Sequence, residues 1–157
     1  MADTTDPRTR LADAGLLALR LLIGVSLAWL HGRGKIASAA SYVFSGHDWS
    51  FVKVVASLGF PFAGFFAVAA ALAESAGAVL VAAGLAARLG GFLVMFTMGV
   101  AILSHLRAGQ VPELALLYFA PALAVVLIGP GRYSLDALTF TKRHPEKALA
   151  QAAAAGD

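Results

Sequence analysis

The sequence predicts an all-α membrane protein, a four-transmembrane-helix bundle with a surface-lying loop or short helix between helices 1 and 2. Two observations predict it. Hydrophobic residues fill 59% of the 157 positions and charged residues only 13%, too few polar groups to cover a soluble globule of this size. The apolar residues also gather into long runs. The clearest, residues 61–85 (PFAGFFAVAAALAESAGAVLVAAGL), offers about 25 residues with one carboxylate, Glu74, enough to cross a ~30 Å hydrocarbon core with some tilt.

Taken in order, residues 1–13 form a polar N-terminal tail whose first ten positions (MADTTDPRTR) read as frayed. The apolar run that follows is interrupted by Arg20 and lacks a small-residue cleavage site, so it reads as a retained first helix over residues 14–30, with Asp13 placed to cap it. Residues 31–59 alternate polar, small and aromatic, which is long for a plain connector. Trp49, Phe51 and Val52 beside Asp48 and Lys53 predict either a short amphipathic helix on the membrane surface or a loop resting on headgroups. Tyr42, Phe44 and Trp49 suit an aromatic belt.

Pro61 opens the second helix, and Gly90 and Gly91 mark the turn into a third over residues 89–106, with His105 at its far end. Pro112 and Glu113 open a fourth, running to Ile128 and bent at Pro121, which stops at Gly129, Pro130 and Gly131. The membrane domain thus covers residues 14–140, followed by a polar, Ala-rich C-terminal tail over 141–157. With an even number of spans, Arg8, Arg10, Arg88, Arg132, Lys142, Arg143 and Lys147 share one side, against Arg33, Lys35, Lys53 and Arg107 on the other. Positive charge favours the cytoplasm, so both termini are expected there.

Composition excludes several classes. The net charge of +3 forms no basic patch interleaved with aromatics, which argues against nucleic acid as a partner. Without cysteine, the chain supports no Cys-ligated cofactor and no disulfide exchange. No nucleophile–base pair, Walker-type loop or dinucleotide glycine pattern is present, so at most the chain is a subunit of an enzyme.

Three stretches together, LRLLIGVSLAWLHGRGKI, LGFPFAGFFAVAAALAESAGAVLVAAGLAARLGG and GPGRYSLDAL, resemble the DoxX family of small four-helix membrane proteins over residues 16–138. The markers are Arg20, the group His31, Gly32 and Lys35, the mid-helix Glu74 followed by Gly77, and the closing Gly129, Pro130, Gly131, Ser134 and Asp136. The resemblance implies a bacterial inner (plasma) membrane location. It also implies, from some relatives, a membrane subunit or anchor of an oxidoreductase that passes electrons to quinone, with a soluble or membrane redox partner. A non-catalytic scaffold or assembly factor, or a binder of a small hydrophobic ligand, is the alternative.

Two polar constellations are candidates for chemistry. Arg20 and Glu74 lie at similar depth on antiparallel neighbours and are expected to form a buried pair, either locking the helices or marking a ligand or proton site. His31, His105 and Glu113 are placed at one membrane face with Lys35, His47 and Asp48 nearby. They suit a quinone or other small ligand, with imidazole donating a hydrogen bond and carboxylate accepting a proton, or a metal, or simply contact with headgroups. Arg20, Gly24, Leu27 and His31 fall on one helical face, as a polar stripe or a packing seam. The small residues Ala69, Ala73 and Gly77, and Ala70 and Ala78, are spaced for close helix approach. Met95 and Met98 read as core or lipid contacts.

Overall fold

A computed structural model describes residues 7–143. All regular structure among them is helical, and three helices are long and apolar enough to cross a membrane. The first departs most from expectation. Helix α1 (Pro7–Ser26) passes through a π-helical turn (Leu27–Gly32) into α2 (Arg33–Ser45) without a break. This rod of 39 residues is about 58 Å long at 1.5 Å rise. Residues 7–10 are thus helical rather than frayed, residues 11–13 continue the same helix, and residues 31–45 are helix rather than surface loop. The expected tail over residues 1–6 and 144–157 lies outside the described residues.

The physical reason for this correction is that Gly32 does not turn the chain. A Cβ at Gly32 would lie 2.9 Å from the Ser75 hydroxyl oxygen, so this glycine serves helix contact. No proline falls between Pro7 and Pro61 to stop the helix. It ends instead at Gly46, in the left-handed conformation (φ 65°), where Ser41 and His47 side chains meet at 3.1 Å. Asp13, expected as a cap, lies inside α1 and accepts a hydrogen bond from the Arg132 amide at 3.0 Å.

The short amphipathic helix forms as α3 (Ser50–Ser57), burying Val55. Next come α4 (Ala63–Ala83), α5 (Ala87–Arg107) and α6 (Glu113–Ile128), which contains Pro121. At 16 residues, α6 spans about 24 Å, the shortest of the four apolar helices. A last helix, α7 (Leu135–Arg143), follows the glycine-proline stop.

Helix α4 is the centre of the bundle, touching α1, α2, α3 and α5. Its buried positions Ala67, Ala71, Glu74, Ala78 and Val81 repeat every three to four residues, one face of a helix. The first helix runs antiparallel to it: Gly24 meets Ala78 and Ala82, Gly32 meets Ser75, and Tyr42 covers Gly64. At Gly24 a Cβ would come within 2.6 Å of the Ala78 carbonyl oxygen, so Gly24 is the close-contact point of the seam. Gly77 and Gly90 bring α4 and α5 equally close, since either Cβ would lie 2.9 Å from the other's carbonyl oxygen. The fully buried Ala78, Val94 and Ala122 join α4, α5 and α6 in one core.

The closing segment ties together the end of the bundle at the α4–α5 turn. The Ser134 hydroxyl accepts from the Ala137 amide at 3.1 Å and so caps α7. Asp136 reaches across the chain: its two oxygens accept from the amides of Ala86 and Ala87 at 2.7 and 2.9 Å, capping α5. Its own amide donates to the Gly84 carbonyl at 2.9 Å.

Candidate functional site

The half of the bundle nearest α3 contains a cavity of about 680 Å³ between α3, α4 and α5. Below it, the Gly77–Gly90 contact closes the gap between α4 and α5. Above that contact the helices part, and α3 fills the opening with Phe51, Val54 and Val55. The wall from α4 is Phe66, Ala69, Ala70 and Ala73, ending at Glu74. These positions share one helical face, and three of them are alanine. The expectation that Ala69, Ala70 and Ala73 admit a neighbouring helix is therefore corrected. Gly77 and Ala78 do so, whereas the three alanines create empty space.

Glu74 is 2% exposed, and its partner is not Arg20. It forms an ion pair with Lys35, which the continuous first helix carries past the mid-point of α4. Lys35 remains one-third exposed, faces the cavity, and has its ammonium 5.2 Å from the centre of the Phe51 ring. An ionised donor thus sits at the end of an otherwise apolar wall, with its charge balanced.

Arg20 is fully buried at the other end of the bundle. Its Nη2 donates to the Tyr133 carbonyl at 2.5 Å, and its Nε and Nη1 have no protein hydrogen-bond partner. A Cβ on Gly84 would fall 1.9 Å from Nη1, so only glycine leaves room for the guanidinium here. Asp136 acts on it electrostatically. The expected Arg20–Glu74 pair is replaced by two separate sites. Arg20 fastens the closing segment, and Glu74 with Lys35 lines the cavity. The expected match in depth fails because the register sets Arg20 beside Gly84, ten residues or about 15 Å along α4 from Glu74.

The expected constellation of His31, His105 and Glu113 divides as well. His105 lines the cavity with Ser104 and Gln110. Its Nδ1 lies 2.8 Å from the Ala101 carbonyl, which can only accept, so Nδ1 carries the hydrogen and Nε2 is left as an acceptor in the neutral ring. His31 sits in the π-helical turn and packs edge-on against Tyr118, ring centres 5.9 Å apart. Glu113 is exposed in the first turn of α6, where the helix dipole favours it. Neither His31 nor Glu113 lines the cavity. His31, His105 and Glu113 therefore do not converge, and no three metal-ligating side chains do so among the described residues.

Sequence reasoning missed Phe51, Ser104 and Gln110 as wall residues. The signal available was the period of α4, where Phe66, Ala69, Ala70, Ala73 and Glu74 fall on one stripe of small residues ending in a carboxylate.

Long apolar helices, small-residue contacts and a buried ion pair define a multi-pass α-helical membrane protein in contact with lipid. The DoxX family model matches residues 15–107, from the first helix through α5, and the chain belongs to the DoxX family. No curated protein and no solved structure matches it.

Proposed function

We propose that this chain is the quinone-binding membrane subunit of a redox complex. The observation that carries the reading is the cavity between α3, α4 and α5, in which Lys35, Glu74 and His105 are the ionisable groups of an aromatic and aliphatic wall. A volume of about 680 Å³ is in the range of small-molecule sites. The donor set suits a quinone: the Lys35 ammonium donates to a carbonyl oxygen and Glu74 accepts from a hydroxyl, while His105, 12 residues or about 18 Å along α5 from Leu93, lines the far end of the cavity. A bound quinone would supply the two-electron, two-proton chemistry, and the chain itself holds and orients the ring. The partner that exchanges electrons with it is a separate protein.

Purification from native membranes in mild detergent is expected to retain quinone in stoichiometric amount, and Ala70→Phe, which fills the cavity, to reduce it. Preparations that carry neither quinone nor a redox partner, and that bind no added quinone, would shift the assignment to a scaffold.

The location follows from charge. With Lys35 neutralised inside the bundle, seven basic residues flank the inner side against three on the outer, a stronger bias than the sequence count. We place the chain in a bacterial inner membrane with both termini cytoplasmic. Because the chain has no native cysteine, single cysteines report topology directly. Ser50→Cys in intact cells is expected to react with an impermeant maleimide, and Leu85→Cys only after permeabilisation. The reverse pattern inverts the orientation.

A further inference from the structure

We propose that the side of the first helix turned away from the bundle docks a transmembrane helix of another protein, one that carries an aspartate or glutamate at mid-membrane depth, and that Arg33 pairs with that carboxylate. Arg33 does not line the cavity, so the inference stands without the quinone reading.

The continuous first helix sets the depth of Arg33. Gly32 lies against Ser75, and Lys35 pairs with Glu74, near the middle of α4. Glu74 is nine and eleven residues, or about 14 and 16 Å, from the two ends of α4, and Arg33 shares its level. Neither headgroup layer is within reach of the arginine side chain. Residues two apart on a helix do not share a face, so Lys35 turns in to Glu74 while Arg33 is exposed on the other side. Removing Arg33 from the outer count of the topology proposed above leaves two basic residues there, and the bias holds.

The surroundings of Arg33 are apolar. Leu22, Val25, Trp29 and Leu30 precede it and Val43 and Phe44 follow it, each at least 55% exposed. This is a lipid-facing surface with a charge at its centre. The guanidinium lies over the Trp29 ring, 4.8 Å from the ring centre, which offsets part of the cost of that charge. No carboxylate among the described residues pairs with it. An unpaired guanidinium at the bilayer centre is costly, and a carboxylate brought to the same depth removes that cost. There is room for the helix that brings it. A Cβ on Gly34 would have nothing within 4 Å, and the exposed Ala37 and Ala40 add little bulk.

A second copy of this chain does not fit the face. Apart from the buried Glu74, the described carboxylates are Asp13, Asp48, Glu113 and Asp136, all towards the ends of the bundle. A two-fold contact centred here would also set one Arg33 against the other.

Energy transfer between the labelled full chain and a labelled peptide in zwitterionic vesicles tests the pairing. The peptide is a leucine–alanine transmembrane helix of about 20 residues, with glutamate or glutamine at its middle position. The glutamate peptide is expected to associate about fivefold or more tighter than the glutamine peptide. Arg33→Leu should abolish that difference. Because the Arg33 side chain is exposed and its contact is with Trp29 of the same helix, this variant should keep its fold. Arg33→Glu should transfer the preference to a peptide with a central lysine.

Equal association of the two peptides, or a glutamate preference that survives Arg33→Leu, overturns the proposal. Energy transfer between two labelled copies of the chain that Arg33→Leu removes also overturns it, because the occupant is then a second copy. Loss of the glutamate preference on adding anionic lipid does the same, because Arg33 then serves a lipid phosphate.

Discussion

Lys35→Met is expected to destabilise the protein by about 3–5 kcal/mol, because it strands the Glu74 carboxylate, only 2% exposed, without its counter-ion. Glu74→Leu should cost less, since the Lys35 side chain it abandons is one-third exposed and less desolvated than the carboxylate. The double variant, Lys35→Met with Glu74→Leu, is expected to recover most of the loss, because two apolar side chains replace a desolvated pair. Quinone binding should not recover with it. Denaturant titration in detergent, run beside a quinone-binding assay, separates the two effects. If the double variant regains both stability and binding, the pair has no part in ligand recognition. If Lys35→Met leaves stability unchanged, Glu74 has another partner in the folded protein.

Asp136→Ala is expected to cost about 3 kcal/mol or more, because each hydrogen bond to a charged group contributes ~1.5–3 kcal/mol and Asp136 accepts two from the start of α5. Those bonds hold a strained point: Ala86 is left-handed at φ 44°, a conformation that a residue with a Cβ adopts only when its surroundings impose it. The carboxylate also lies near the buried Arg20, two of whose nitrogens have no protein hydrogen-bond partner, so its removal deprives that cation of nearby negative charge. Asp136→Asn should recover less than half of the loss, because the amide offers one accepting oxygen and no charge. Equal stability of Asp136→Asn and the unmodified protein, measured by the same titration, would assign the effect to shape rather than to charge.

These two sites show how the chain uses its few charges. One pair, Lys35 and Glu74, lines the cavity between α3, α4 and α5. A second group lies at the opposite end of the bundle, where Asp136 and Arg20 tie the chain after α6 back to the α4–α5 turn. A functional assay is expected to respond to the first group and a stability assay to both.

Much of this was legible in the sequence. The long apolar runs set the membrane class and the helices α4, α5 and α6 to within about two residues at their ends. Gly24 stood out as a close contact, and the short helix around Phe51 and Val52 formed where amphipathic order indicated it. The family resemblance held, with the matched region ending at residue 107. Ser134 and Asp136 stood among the markers of the resemblance, and in the fold Ser134 caps α7 and Asp136 caps α5.

What the sequence by itself determined was therefore local or compositional: how apolar each segment is, which period it follows, and where small or capping residues fall. Only the tertiary structure decided which charges meet. Lys35 reaches Glu74 because α1 continues through a π-helical turn instead of ending at His31. Arg20 finds the Tyr133 carbonyl because the chain folds back after Pro130. The cavity exists because α4 and α5 touch at two glycines and part above them. Helix continuity, tilt and register are properties of the assembled bundle. They are set by contacts between residues 39 and 113 positions apart, which no local pattern records.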